Sequence, residues 1–213
     1  MEILVADPAA IARAAAILQA GGTVAFPTDT VYGVGAHAFQ PAAVEKLYAA
    51  KLRPRDKAIP LLLADVADVA RVVREVSADA QRLMARFWPG GLTLVLPRAA
   101  SVPDIVCAGG ESVAVRLPAH AVARALIAAV GAPLAATSAN LSGHPSPVVA
   151  AEVAAELTGR IDLILDGGRC PGGVPSTVLD LSGEQPRLLR PGAIPVEEIE
   201  DVLGRPVWRE QEE

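Results

Sequence analysis

Cysteines and aromatic side chains are scarce in this sequence. Two cysteines, Cys107 and Cys170, in 213 residues are too few for a disulfide framework or, by themselves, a zinc site, and they suit a reducing cytosol. Aromatics make up only 3%, so any core is built from Ala, Val, Leu and Ile, and platforms for stacking nucleobases are in short supply. No Gly-Lys dipeptide occurs, which removes the phosphate-binding loop of P-loop proteins, and the HExxH and GxSxG patterns are missing too. The histidines, His37, His120 and His144, show no metal-ligand spacing. No apolar run reaches the roughly 18 residues a membrane span needs. The first residues lack a basic stretch, and Asp7-Pro8 interrupts their apolar run, so they read as mature protein rather than a signal peptide. Acidic residues number 24 against 19 Lys and Arg, a formal net charge of −5. That balance argues against bulk binding of a polyanion but leaves room for a local basic patch.

What is present is 52% apolar and 20% charged, a composition that buries a core and argues against disorder. Asp7 as N-cap, Pro8 at the first helical position and Gly21-Gly22 at the end frame a helix with an apolar stripe of Ile11, Ala14, Ala15 and Leu18. Further helices are predicted from Pro41, over 65–75 and 78–87, from His120 to Val130, over 148–157 and over 196–203. Between them "TVAF", "AIPLLL", "LTLVLP", "SVAVRLP", "PLAATSA", "IDLILD", "STVLDL" and "RLLRP" read as strands. This interleaving means α/β. The expected organisation is one domain over residues 1–205, with a frayed charged tail over 206–213.

The segment "KLRPRDKAIP" (51–60) carries Lys51, Arg53, Arg55 and Lys57 at alternate positions. If extended, as Pro54 favours, it gathers these cations on one face with only Asp56 to offset them. Such a face suits an anion; Lys57 has the weakest claim to it and reads as a solvated charge. Polar loops leave several apolar strands. "FPTDTVYGVG" brings Thr28, Asp29, Thr30 and Tyr32, "AATSANLSG" brings Thr137, Ser138, Asn140 and Ser142, and "DGGRCPGGVPST" is glycine-rich. Arg116 stands inside an apolar strand, and a buried arginine calls for a carboxylate partner from protein or ligand; Arg190 repeats the pattern. "GVGAHA" matches a relaxed dinucleotide pattern, but no helix opens at its second glycine. Cations, hydroxyls and flexible backbone donors, without a nucleophile–base pair or a metal cage, suit a multiply charged small anion or a nucleotide.

Seven segments in collinear order, "GGTVAFPTDTVYGVGA", "KLRPRDKAIPLLL", "FWPGGLTLVLP", "SVAVRLPAH", "PLAATSANLSG", "GGVPSTVLDLSG" and "LLRPGAI", resemble the YrdC family from about Gly21 to Ile194. The resemblance implies a twisted, mostly parallel or mixed sheet with flanking helices around a concave ligand-binding surface. It implies synthesis of threonylcarbamoyl-AMP and pyrophosphate from L-threonine, bicarbonate and ATP. Mg²⁺ would accompany ATP without a tightly bound protein-liganded metal, and the product would serve t6A modification of tRNA. By resemblance, Lys51 and Arg53 are catalytic; Thr28, Arg116 and Ser176 bind threonine; and Lys51, Arg55, Ser112, Ser138, Asn140, Ser146 and Arg190 bind ATP. Lys51 and Arg53 are expected on an exposed rim. Thr30, Tyr32 and Thr137 are further shell members, while Pro89 to Gly91 shape the fold. The expected setting is cytoplasmic, away from membranes, with possible tRNA contact and downstream t6A transfer proteins. The chain resembles the family's short, single-domain form, and "IPLLLADV" lacks a histidine that some relatives carry there. The alternatives are a double-stranded RNA or tRNA-binding module without synthase activity, and a related carbamoyl or adenylyl transferase.

Overall fold

The computed structural model describes residues 1–209. In chain order these form β1 (Glu2–Val5), α1 (Pro8–Gln19), β2 (Val24–Phe26), β3 (Gly33–His37), α2 (Pro41–Lys51), β4 (Leu61–Leu62), a 3-10 helix (Val66–Arg71), α3 (Ala78–Phe87), β5 (Leu92–Pro97) and β6 (Ser112–Arg116). Then come α4 (Ala121–Val130), β7 (Leu134–Ser138), α5 (Ala150–Leu157), β8 (Leu163–Asp166), β9 (Thr177–Asp180), β10 (Arg187–Arg190), α6 (Val196–Leu203) and β11 (Trp208–Arg209).

All strands join one sheet in the order β1-β8-β2-β3-β7-β4-β6-β5-β9-β10-β11. The pairs β1–β8, β8–β2, β4–β6, β5–β9 and β10–β11 are parallel. The remaining pairs are antiparallel. The sheet is therefore evenly mixed rather than mostly parallel.

Local chemistry explains the elements. Asp7 Oδ1 accepts from the Ala10 backbone N–H at 2.7 Å and caps α1, while Pro8 supplies a preset φ at a position that needs no N–H. The buried face of α1 is Ala10, Ala14, Ala15 and Leu18, with Ala10 in place of the expected Ile11. Helix α3 starts on the Ser77 side chain. The stretch expected as a helix over 65–75 is only the short 3-10 helix.

Three strands lack the signals that mark strands in a sequence. β3 reads "GVGAH" because Gly35 lies against the Phe26 ring and the Ala135 carbonyl, where an added Cβ would come within 3.2 and 3.3 Å. β1 is an edge strand that leaves Ile3 and Val5 exposed, so burial imposes no alternation on it. β11 brings Trp208 and Arg209 out of the expected tail to pair with β10, and Val207 is buried. Residues 210–213 of that tail lie outside the described residues.

The alternation of side chains across the central strands positions the site. Leu61, Leu63, Leu94, Val113, Val115 and Ala135 face a large core completed by α2, α3, α5 and α6. On the opposite face, α1 and α4 cover Val24, Leu163, Leu134 and their neighbours in a second core. Each fully buried Leu in these layers contributes about 1.5–3 kcal/mol. Farther across that second face, the strands carry Thr93, Val95, Ala114 and Arg116, which line a cavity instead. Among the described residues no helix is long and apolar enough to cross a membrane.

Candidate active site

The cavity has a volume of about 580 Å³. It gathers Thr28, Arg53, Arg116, Ser138, Ser146, Ser176 and Arg190 from seven separate stretches of the sequence, and Thr30, Tyr32 and Thr137 lie on its wall with them. Between the polar groups lie apolar surfaces of Val31, Leu62, Val95, Val178 and Leu189. A second hollow of about 710 Å³, lined by Gln185 and residues 206–209 at the outer edge of the sheet, contains none of the sequence-predicted site residues.

Arg116 is the anchor of the inner wall. It is buried at the end of β6, donating from Nε to the Gly90 carbonyl (2.9 Å), from Nη1 to Thr30 Oγ1 (2.9 Å) and from Nη2 to Asp29 Oδ1 (2.6 Å). Burial disfavours its charge, and Asp29 opposes that shift; a guanidinium stays protonated in either case. The carboxylate partner that a buried arginine calls for is thus Asp29. Asp29 is held in turn by the Ala119 N–H at 3.0 Å. Nη1 and Nη2 each still have an N–H to offer a ligand, because a guanidinium has more donors than these bonds use. Thr28 Oγ1 donates to the Val31 carbonyl at 2.7 Å and lies 3.0 Å from Thr30 Oγ1, which closes the loop on itself. The Tyr32 hydroxyl donates to the Gly168 carbonyl at 2.8 Å, tying this loop to the glycine-rich segment.

Arg190 and Ser176 form a second cluster. Arg190 Nη2 donates to the Ser176 carbonyl (2.7 Å) and to Ser176 Oγ (3.1 Å), and Ser176 Oγ lies 2.8 Å from Thr93 Oγ1. Unlike Arg116, Arg190 is an exposed residue; partial desolvation of its guanidinium against the cavity still disfavours its charge, and the neighbouring Arg116 and Arg53 disfavour it further. An anion in this cavity relieves that mutual repulsion.

The basic segment departs from expectation. It is not extended from Lys51: α2 runs to Lys51, and Leu52 is left-handed (φ 51°), so the cations do not share one face. Lys51 is buried, not on a rim. Its Nζ donates to the backbone carbonyls of Ser138 and Asn140, while its own carbonyl accepts from Ser142 N–H at 3.0 Å. Burial and the nearby Arg53 lower the Lys51 ammonium to about 7, partly offset by Glu156. Arg53 does line the cavity. Its guanidinium donates to the carbonyls of Lys57 (3.0 Å) and Ala58 (2.7 Å), closing the turn. Arg55 points the other way, into an exposed ion pair with Glu45. Lys57, expected as a solvated charge, is exposed yet also lines the cavity.

Three more predicted residues stand off the cavity wall. Asn140 is buried with its amide nitrogen donating to the Leu141 (2.9 Å) and His144 (2.6 Å) carbonyls, so it shapes the loop after β7. Ser112 lies on the same face of β6 as Ala114 and Arg116, but farther along the strand. Arg55 is the third, through its pairing with Glu45. Conversely, Thr93 on β5 lines the cavity and was missed. Its signal was available: it is the one polar residue inside the apolar strand "LTLVLP", as Arg116 is inside its own.

A family model, Sua5/YciO/YrdC, described as telomere recombination, matches residues 16–192. Threonylcarbamoyl-AMP synthase of Bacillus subtilis is 49% identical over 204 residues, covering 95% of this chain and 59% of the relative. The Pyrococcus abyssi protein of the same name is 47% identical over 191 residues, covering 90% of this chain and 56% of the relative. The chain therefore spans between half and two thirds of the length of these relatives. The crystal structure of P. abyssi Sua5 complexed with L-threonine superposes with a TM-score of 0.93 at 44% identity, over 97% of this chain and 61% of that one.

Proposed function

The chain belongs to the Sua5/YciO/YrdC family, and from that membership and the cavity we propose that it makes threonylcarbamoyl-AMP and pyrophosphate from L-threonine, bicarbonate and ATP. The observation that carries the reading is the convergence of Arg53, Lys57, Arg116 and Arg190 with the hydroxyls of Thr28, Ser138 and Ser176 on one cavity. Relatives identical to it at nearly half of the aligned positions bear that enzyme's name.

The two free N–H groups of Arg116 are a fork for a carboxylate, so threonine binds with its carboxylate there and beside Ser176. Threonine's amine, after losing a proton, combines with CO₂ from bicarbonate to give a carbamate. A carbamate oxygen then attacks the α-phosphorus of ATP, and the bond to the bridging oxygen of pyrophosphate breaks. Charge accumulates on the leaving pyrophosphate, and Arg53, Lys57 and Arg190 are the cations positioned to stabilise it. The cavity wall carries no carboxylate, and no cluster of three or more metal-ligating side chains occurs among the described residues. Mg²⁺ would accompany ATP as part of the metal–nucleotide substrate and would supply charge neutralisation on its phosphates. The product is a mixed anhydride, suited to passing its threonylcarbamoyl group to tRNA in the next step of t6A formation.

Pyrophosphate release from MgATP, with L-threonine and bicarbonate each supplied or omitted and serine and glycine as controls, tests the reading. Release that needs both is the expected result. No release, together with salt-sensitive tRNA binding, would favour an RNA-binding module instead. Release driven by a different amine would favour a related carbamoyl or adenylyl transferase.

A further inference from the structure

The Thr93–Ser176 pair holds two buried hydroxyls 2.8 Å apart, and burial decides which one donates. Ser176 Oγ already accepts from Arg190 Nη2 at 3.1 Å, and an arginine can only donate. If Ser176 gave its proton to Thr93, the Thr93 proton would be stranded: the residue is 1% exposed, and Ser176 Oγ is its single hydrogen-bond partner among the described residues. A stranded buried donor costs about 1–3 kcal/mol. If Thr93 donates instead, its proton is satisfied and Ser176 Oγ accepts twice. The Ser176 proton is then left for the cavity, to which Ser176 is the more open of the two at 6%.

We infer that Thr93 is a positioning residue that fixes the Ser176 hydroxyl as a hydrogen-bond donor to the carboxylate of the amino-acid substrate. A carboxylate only accepts, so a hydroxyl committed to donating matches it, as do the spare N–H groups of Arg116. The placement of Thr93 agrees: it is the polar member of β5, on the face shared with Val95 that forms the cavity wall. This inference rests on the synthase reading and adds to it a device for amino-acid recognition. The device acts on binding alike in the ground and transition states, so its loss raises KM rather than lowering kcat.

The test is pyrophosphate release at varied L-threonine and at varied ATP, for wild type, Thr93→Val and Thr93→Ser, with calorimetric titration of L-threonine alongside. Thr93→Val keeps the shape and deletes the hydroxyl. Its KM and Kd for L-threonine are expected to rise about tenfold, the equivalent of about 1.4 kcal/mol, with kcat and the KM for ATP within about twofold. Thr93→Ser keeps the hydroxyl and restores both constants to within about twofold. An unchanged threonine KM in Thr93→Val overturns the inference. So does a Thr93→Ser variant with a tenfold rise, which would assign the role to the methyl group; that outcome overturns the inference even if Thr93→Val fails to fold. Wild-type release that ignores L-threonine would instead overturn the synthase reading itself.

Discussion

Lys51 meets Ser138 through the backbone: its Nζ donates to the Ser138 carbonyl, leaving the Ser138 hydroxyl on the cavity side, where the residue lines the wall. The same nitrogen holds the Asn140 carbonyl, and Glu156 holds the Leu141 N–H at 3.1 Å. Lys51 thus orders the loop that follows β7, although its own charge is withheld from the cavity.

That arrangement predicts a pH dependence. A neutral amine has two N–H groups, which match two carbonyl acceptors, and burial lowers the Lys51 pKa to about 7 from about 10.4 in an unfolded chain. Between these values the unfolded chain holds a proton that the folded protein has released, so the Lys51 contribution to stability rises with pH. Below about 7 the ammonium is charged in both states and the burial penalty is fully present. Urea midpoints from pH 6 to 9.5 should therefore rise for wild type relative to Lys51→Met. A constant difference between the two proteins would show that Lys51 stays charged throughout.

The Asp29–Arg116 pair is predicted to be a stability element as well as a ligand mount. Both side chains are largely shielded, 15% and 7% exposed, and removing one partner of a buried pair leaves the other uncompensated. Asp29→Ala should lower unfolding stability by about 3 kcal/mol, measured by denaturant titration. Added L-threonine should recover part of the loss, because its carboxylate replaces the missing one.

Arg53 and Arg55 should separate cleanly despite lying two residues apart. The Arg55–Glu45 pair is solvent-exposed, so Arg55→Ala should cost less than about 1 kcal/mol and leave pyrophosphate release within about twofold. Arg53→Ala removes a cavity cation and opens the turn at Lys57 and Ala58. Its release rate should fall at least about tenfold, the loss of one charge-assisted bond. Equal activity of the two variants would return the phosphate-binding role to Arg55.

Gly192 should tolerate no side chain. A Cβ there would lie 2.4 Å from the Pro175 carbonyl oxygen and 2.5 Å from backbone atoms of Ser176 and Thr177, none of which can swing aside. Gly192→Ala should lower the melting temperature and raise the threonine KM together, since the backbone that must move carries Ser176. A thermal melt and one substrate titration check both effects.

Much of this molecule was legible in its sequence where burial writes a period. The helix cap at Asp7, the apolar strands and the anomalous Arg116 are local facts with local signals. β3 was not legible, because its glycines answer to the Phe26 ring, a tertiary contact. The failure of the basic segment to form one cationic face was not legible for a similar reason: alternate spacing implies a shared face only in an extended chain, and α2 continues to Lys51 before Leu52 turns it. Thr93 carried the same signal as Arg116, a polar group in an apolar strand, but its meaning came from Ser176, far away in the chain.

The place of β8 between β1 and β2 also sets an order of assembly. As the chain leaves the ribosome, β1 and β2 emerge early yet share a neighbour that is made only when residues 163–166 appear. The loop after β2 gains its anchors later still, when Gly168, Gly172 and Gly173 arrive to bond Tyr32, Asp29 and Thr30. Contacts so distant in sequence close slowly. The nascent chain therefore carries its basic segment without a finished pocket until residues 163–173, and after them Ser176 and Arg190, have been made.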